Sequence, residues 1–429
     1  MDMLCLHDES GSPESRTRPN QYLTFWFPVF VIFFVLHFPN DQYERLFRTL
    51  SLSPHYKIDS YLNNVSTIKG FLFLYASLFL LVPIIMKIRD AIAVTQCVNR
   101  KLFIQSGILF ISLVSLVTVL SVESHGIVHA QMSANPFDQV TGYHYRRIFV
   151  PALAYYLHLG DFLFIVFSLF MTFSLILVLL AWFRRSGSRL NTFQYISIFS
   201  SGFVIYQFQF PGYVEQFVLI LAVISIICPM SRWDRGALVA IMLATHETAA
   251  LFIVLPFILF VYPQEERRLH FVIFFLYSFL YLANFNFSIR ELVHAQTAFS
   301  GTSSFQYLAD SPQLAATGIL FSYKLLWFLF FISACLMARA RNYRLLGITL
   351  FMVFFPFLQI PLGVDTSRLL AFGYLGMLVA IAYCHERMNR SLFNAILLLN
   401  LLFPSYYVAL NAGIIRRPGL YSSVYGLFS

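Results

Sequence analysis

Long apolar segments separated by short polar ones run along this chain from Gln21 almost to its C-terminus. Most hold about 17 to 25 residues, the length that a helix needs to cross the roughly 30 Å hydrocarbon core of a bilayer. Apolar and polar residues do not alternate with a period of two, so the strands of a barrel are not predicted. Because backbone groups in lipid must bond within each segment, the pattern predicts an all-α, polytopic transmembrane protein.

The pattern predicts about eleven full spans and one broken helix pair. The predicted full spans are Gln21–Phe38, Gly70–Met86, Leu102–Ser121, Asp161–Trp182, Phe193–Phe210, Glu215–Met230, Leu269–Ser288, Thr317–Ala338, Leu345–Pro361, Leu369–Cys384 and Ser391–Asn411. The stretch Gly236–Tyr262 is too long for one simple crossing and has His246 and Glu247 near its middle. We expect two short helices joined at one membrane face by a turn exposed to water, because an ionised pair at the bilayer centre is costly.

Composition agrees with a membrane protein and excludes several soluble classes. Hydrophobic residues make up 59% of the 429 residues and charged residues 11%, against roughly 25% charged in soluble domains. The net charge of +9 comes from short basic runs between the predicted spans, so it indicates orientation rather than nucleic acid binding. The five scattered cysteines show no CxxC spacing, and no P-loop, Rossmann or GxSxG motif occurs.

The distribution of lysine and arginine predicts a cytoplasmic N-terminus. With the N-terminus inside and the segment split at His246, eighteen of the 29 basic residues lie on the inner side and ten on the outer side. Positive loops stay in the cytoplasm. Without the split, the loops that follow Arg267 would contradict this rule, so the charge bias also supports the split.

Under this orientation, acids, histidines and arginines from distant segments share the outer face. The residues that carry this pattern are Glu123, Asp138, Arg146, Arg147, His246, Glu247, Arg290, Asp365 and Arg368. We therefore predict an aqueous site at the outer membrane boundary.

The two arginines of "YHYRRIFVPALAYYL" have two interpretations. Arg146 and Arg147 precede a helical apolar face, so they can reach lipid headgroups from an interfacial helix, as such helices commonly do. Alternatively, they bind an anionic substrate beside an aromatic groove. Lys324 lies within a predicted span and is interpreted as a snorkelling, structural residue.

Each remaining candidate also has a structural interpretation. Glu247 lies in an apolar stretch, which favours a functional role, but it can also neutralise an arginine of a neighbouring helix. Asp365 is placed as a helix N-cap, which leaves Arg368 to hold an anion. His125 and His129 have the i, i+4 spacing of metal ligands, but no H-E-x-x-H motif surrounds them, so satisfied loop histidines are the favoured interpretation. A divalent metal stays open, because no spacing demands one.

The outer-loop pattern resembles the GT-C superfamily of integral membrane glycosyltransferases. The resemblance is carried by a span that ends in Glu123, a loop with "NPF", the run "YRRIFVPALAYYL", and the later stretches "THETAALFIVLPF" and "DTSRLLAF". It covers about residues 102–384. On this basis the chain divides as follows: a cytoplasmic polar N-terminus (1–20), a two-helix extension (21–101), a GT-C-like core (102–411) with outer loops 122–160 and 289–316, and an outer tail (412–429).

The resemblance implies an inverting transfer of sugar from a polyprenyl-phosphate donor to a glycan, lipid or protein acceptor. It gives Glu123 the position of the catalytic base, with Asp138 as the substitute, although the family usually has aspartate there. Arg146, Arg147 and Arg368 would hold the lipid phosphate. The implied location is a bacterial inner membrane, with the site facing the periplasm. The alternatives are a transporter or flippase of lipid-linked saccharides, or a polymerase or ligase of surface glycans.

Overall fold

The computed structural model describes residues 19–37, 65–95, 99–116, 125–137, 147–160, 162–283, 287–288, 308–360, 366–403, 405–409 and 413–415. Within these ranges the chain is helical, apart from one short antiparallel ribbon near the C-terminus. The predicted helical fold class is therefore confirmed for the described residues.

Nine helices make up the described part of the N-terminal half. They are α1 (Pro19–His37), α2 (Val65–Thr95), α3 (Arg100–Leu116), α4 (His125–Ala134), α5 (Phe149–Tyr156), α6 (Phe162–Arg185), α7 (Thr192–Phe199), α8 (Phe203–Gln209) and α9 (Glu215–Ile227). The predicted span Phe193–Phe210 is broken between α7 and α8. Gly202 in this break has a φ of +67°, a conformation that glycine adopts without strain and that ends a helix.

The C-terminal half mixes helices with short π-helical and 3₁₀ turns. Its elements are α10 (Arg232–Thr245), α11 (Glu247–Ala249), two π-helical turns (Ala250–Val254 and Phe257–Val261), α12 (Gln264–Ala283), α13 (Pro312–Tyr323), α14 (Leu326–Arg339), α15 (Tyr343–Phe354), a 3₁₀ turn (Phe355–Gln359), α16 (Thr366–Leu370), a 3₁₀ turn (Ala371–Gly373), α17 (Tyr374–Arg387), α18 (Arg390–Leu402), β1 (Tyr407–Ala409) and β2 (Gly413–Ile415). The strands pair with Val408 opposite Ile414.

The number of helices that could cross a membrane is smaller than predicted. Among the described residues, three stretches are long and apolar enough: Thr67–Ile92, Phe162–Arg185 and Thr366–Arg387. A fourth is counted if α13 and α14, which bend by 76° at their junction, form one span. The prediction of about eleven full spans is therefore not met, because most apolar segments are broken or end after fewer than 18 helical residues.

Two predicted boundaries fail for identifiable reasons. The segment Thr317–Ala338 is interrupted at Lys324, whose φ of +51° cannot continue an α-helix. The last predicted span was extended to Asn411, but α18 ends at Leu402 and the chain then forms the β1–β2 ribbon. The break at Lys324 carries no proline or glycine, so turn signals gave no warning there. Pro404, two residues after the end of α18, is a stop signal that the predicted bound at Asn411 did not use.

The predicted break in Gly236–Tyr262 is present. Helix α10 ends at Thr245, and His246 has the extended backbone angles φ −160° and ψ 117°. The turn is not exposed to water, however, because the side chains of His246 and Glu247 are only 3% and 7% exposed. The cost of burying Glu247 is instead offset by an arginine from a distant segment, as described below.

Helix α10 separates two ends of the helical bundle. Its 14 residues rise about 21 Å at 1.5 Å per residue. At its first turn, Arg235 Nε donates to Glu266 Oε2 of α12 at 2.7 Å. At its last turn, the chain reaches His246 and Glu247. We call these the Arg235 end and the His246 end.

Candidate functional site

Four of the predicted site residues meet at the His246 end in one buried cluster. Arg147, His246, Glu247 and Arg368 come from three distant segments and converge around Glu215. We call these five residues the charged cluster. These four residues lie close together, but they are buried, whereas the sequence predicts an aqueous site at the outer membrane boundary.

Arg147 and Glu247 form a two-pronged ion pair. Arg147 Nε lies 3.1 Å from Oε1 and 3.0 Å from Oε2 of Glu247, and Nη2 also donates to Oε1. Both side chains are 7% exposed. Burial alone would raise the pKa of Glu247, but the Arg147 guanidinium holds that pKa well below its ordinary value. Glu247 is therefore ionised at neutral pH.

Glu215 connects the other half of the cluster. Its Oε1 lies 3.3 Å from His246 Nε2 and 3.3 Å from Arg368 Nη1. The guanidinium of Arg368 also lies over the ring of Tyr213, 4.4 Å from the ring centroid, in a cation–π contact. Among the described residues, Oε2 of Glu215 accepts no hydrogen bond. This carboxylate oxygen is therefore buried without a partner among the described residues.

His246 lies between Thr248 and Glu215. Its Nδ1 lies 2.9 Å from Thr248 Oγ1, and its Nε2 faces the Glu215 carboxylate. Burial lowers the pKa of His246 from its ordinary value, and the positive charge of Arg147 lowers it further. The imidazole is therefore neutral at neutral pH.

The turn "FPGYVE" sets the position of Glu215 and Tyr213. Gly212 has a φ of +98°, its N–H donates to Ser168 Oγ at 2.8 Å, and its carbonyl lies 3.0 Å from His129 Nδ1. A Cβ at Gly212 would approach the Gly126 Cα to 2.7 Å. Close backbone contact between this turn and α4 thus requires glycine at this position.

His129 lies in a helix and helps to hold the Gly212 turn, whereas the sequence predicts it in a loop. It lies on α4, is fully buried and faces Gly212. Burial lowers its pKa to about 4, with a further contribution from Arg147. The interpretation of His129 as a satisfied histidine fits its contact to Gly212, although the residue is helical.

Arg368 is held by the packing of α16. A Cβ at Gly318 of α13 would lie 2.8 Å from Thr366 Cβ, so α13 and α16 are in close contact. Tyr323 Oη donates to the carbonyl of Leu370 at 2.6 Å, and the N–H of Val408 in β1 donates to Ser367 Oγ at 3.0 Å. These contacts fix the short helix on both sides of Arg368.

The structure tests the non-functional interpretations of Arg147, Glu247 and Lys324. Arg147 is 6% exposed, so the snorkelling interpretation is wrong for this residue. Glu247 does neutralise an arginine of another segment, as its structural interpretation expected. Lys324 does not snorkel either: it is fully buried, and its Nζ donates to Phe403 O at 3.0 Å and Ser405 Oγ at 3.1 Å.

Five predicted site residues lie outside the described residues, so their roles stay predictions. They are Glu123, Asp138, Arg146, Arg290 and Asp365. Sequence reasoning placed Glu215 on the outer face without a role, and it missed Tyr213 and Thr248. An acid in the first turn of a helix directly after a proline–glycine turn was the available signal for Glu215.

Within the described ranges, no group of three or more His, Cys, Asp or Glu side chains is arranged to hold a metal ion. The cluster itself contains two carboxylates, one histidine and two arginines. With His246 neutral, its formal charges sum to zero.

No family model, no curated protein and no solved structure matches this chain. The similarity to GT-C glycosyltransferases therefore stays a prediction drawn from short sequence motifs.

Proposed function

We propose that this chain is an integral membrane glycosyltransferase that moves a sugar from a polyprenyl-phosphate donor to a glycan, lipid or protein acceptor. The observation that carries the proposal is the convergence of Arg147, His246, Glu247 and Arg368 around Glu215 at one end of the bundle. Arginines can stabilise the charge of a departing phosphate, and a carboxylate or imidazole can accept the proton of an acceptor hydroxyl.

The arginines would act on the donor phosphate. When the acceptor oxygen attacks the anomeric carbon, the bond between that carbon and the phosphate oxygen breaks, and negative charge develops on the departing phosphate. Guanidinium groups in a site without bulk water stabilise such charge strongly. Arg368, held in place by Tyr213 and Glu215, is our main candidate for this contact, and Arg147 and Arg146 are the next.

A carboxylate would take the proton from the acceptor hydroxyl. The resemblance gives this role to Glu123, with Asp138 as the substitute. The described residues add Glu215, whose Oε1 faces the neutral His246. In our proposal, Glu215 and His246 position the acceptor and receive its proton if Glu123 or Asp138 does not.

The proposed membrane setting is a bacterial inner membrane with the cluster facing the periplasm. Three described helices that are long and apolar enough to cross a bilayer support a membrane location, and the inner membrane and periplasmic face follow from the GT-C resemblance. A GT-C-like arrangement of the core, residues 102–411, is also part of this proposal.

A transporter of lipid-linked saccharides is the second candidate, and one observation favours it. Lys324 lies buried at the 76° bend between α13 and α14, and interrupted helices with buried charges are typical of transport sites. This function predicts movement of a labelled lipid across the membrane without formation of a new glycosidic bond.

The test is sugar transfer by the purified protein from radiolabelled polyprenyl-phosphate sugars. Glu215→Gln, Arg368→Gln and Arg147→Gln should each lower transfer by at least about 100-fold, the size of effect seen when a transition-state hydrogen bond is lost. The matched controls are Arg235→Gln and Glu266→Gln, because this pair has the same chemistry and similar burial at the Arg235 end.

Equal losses in the two groups of variants would mean that damage to folding explains the effect. Absence of transfer from every donor, together with lipid movement in proteoliposomes that depends on Lys324, would replace the proposal with the transporter.

A further inference from the structure

The Arg235 end of the bundle contains a cleft that the proposed function does not use. It has a volume of about 400 Å³ and lies between the start of α12 and the start of α15. Its polar lining is contributed by Gln264 and Arg267 of α12 and by Tyr343 and Arg344 of α15. Two helix starts from distant parts of the chain therefore meet around one opening.

The charge of this cleft favours an anion. Arg267 and Arg344 both line it, and none of its lining residues is acidic. Arg267 Nε donates to the carbonyl of Tyr262 at 3.2 Å, which fixes this guanidinium at the opening, while Arg344 is exposed. The nearby acid Glu266 is already paired with Arg235.

The other side of the cleft is apolar and continues along a helix surface. Phe260 and Ile348 contribute to its lining, and both belong to segments that are apolar along their length. Gly347 lies one helical turn from Arg344, and a Cβ added at Gly347 would meet no atom within 4 Å. The surface of α15 is therefore open directly beside the arginines.

This combination fits a molecule with an anionic head and an apolar tail. A free phosphate would use the two arginines but would leave the apolar groove at Gly347 empty. A lipid of the adjoining leaflet fits both parts, because basic pockets between helices at a membrane boundary bind anionic headgroups.

We propose that the cleft binds one anionic phospholipid, with its phosphate at Arg267 and Arg344 and an acyl chain along α15 at Gly347. The orientation predicted from the basic residues places this site in the cytoplasmic leaflet. The lipid would join α12 to α15 and so stabilise the Arg235 end.

The test measures thermal unfolding of the full-length protein in a neutral detergent at increasing fractions of dioleoylphosphatidylglycerol or dioleoylphosphatidylcholine. The variants are Arg267→Gln/Arg344→Gln, which removes the charges, and Gly347→Leu, which fills the groove. Gly107→Leu is the matched control, since a Cβ at Gly107 of α3 also meets nothing within 4 Å.

We expect phosphatidylglycerol to raise the apparent Tm of the wild type and of Gly107→Leu, and phosphatidylcholine to leave both unchanged. Both test variants should need at least about tenfold more phosphatidylglycerol for the same shift, because one loses two charged hydrogen bonds to the phosphate and the other loses the space for an acyl chain. An undiminished shift in Gly347→Leu would overturn the proposal. So would an equal shift with phosphatidylcholine, or a full shift with millimolar inorganic phosphate alone.

Discussion

At the scale of single residues, the Arg147–Glu247 pair lies in an environment where each charge depends on the other. Both side chains are 7% exposed, and the isolated charge of either would be costly to bury. Replacing both partners by apolar residues removes that cost together with the pair. A double replacement can therefore keep the protein stable while it removes any contribution of the pair to catalysis.

We predict that Glu247→Leu and Arg147→Met each lower the free energy of unfolding by about 3–5 kcal/mol, because each leaves an uncompensated buried charge. The double variant should unfold within about 1 kcal/mol of the wild type, since apolar replacement of a whole buried pair is often neutral. Thermal unfolding in detergent ranks the stabilities of the three variants.

If the proposed function is right, the double variant is folded yet inactive in sugar transfer. The matched double variant Arg235→Met/Glu266→Leu should be folded and active. A double variant at Arg147 and Glu247 that unfolds as easily as either single variant would contradict this account of the pair.

At the scale of elements, the breaks between helices position the cluster, and the sequence predicted only some of them. The break at His246 was predictable because an ionisable pair in the middle of an apolar stretch is costly in a continuous span. The break at Lys324 was not, because the surrounding "FSYKLLWF" contains no proline or glycine. Its stability comes from contacts to Phe403 and Ser405, about 80 residues away, which local patterns cannot reveal.

The Gly212 turn gives a prediction at this scale. Gly212→Ala combines an unfavourable positive φ with the 2.7 Å approach to Gly126, whereas Gly187 also has a positive φ, +82°, but nothing within 4 Å of its added Cβ. We expect Gly187→Ala to cost about 1–2 kcal/mol, the ordinary cost of this backbone conformation. Gly212→Ala should cost distinctly more.

The measurement is the apparent Tm of both variants, together with sugar transfer if the wild type shows it. Displacement of the turn moves Glu215 and Tyr213, so transfer should fall in Gly212→Ala alone. Similar Tm values for the two variants would mean that the turn can move away from α4, and that its close packing does not fix the cluster.

At the scale of the whole molecule, sequence reasoning grouped four residues that do lie close together, but it overestimated the number of membrane crossings. Arg147, His246, Glu247 and Arg368 were grouped by orientation alone, and they do converge. The count of crossings failed because apolar length does not show where a helix breaks inside a protein. Glu215 was missed as the link because its partners are brought together only by tertiary packing.

The orientation on which this grouping rested gives the last prediction. Ala134 at the end of α4 and Ala340 just after α14 are both small and exposed, and the basic residues place Ala134 outside and Ala340 inside. In a background without the five native cysteines, a membrane-impermeant maleimide applied to intact cells should label Ala134→Cys and leave Ala340→Cys unlabelled until lysis. The reverse order would invert the orientation and place the charged cluster in the cytoplasm, where a periplasmic sugar transfer is impossible. Equal labelling of both positions in intact cells would contradict the presence of a membrane between the two ends.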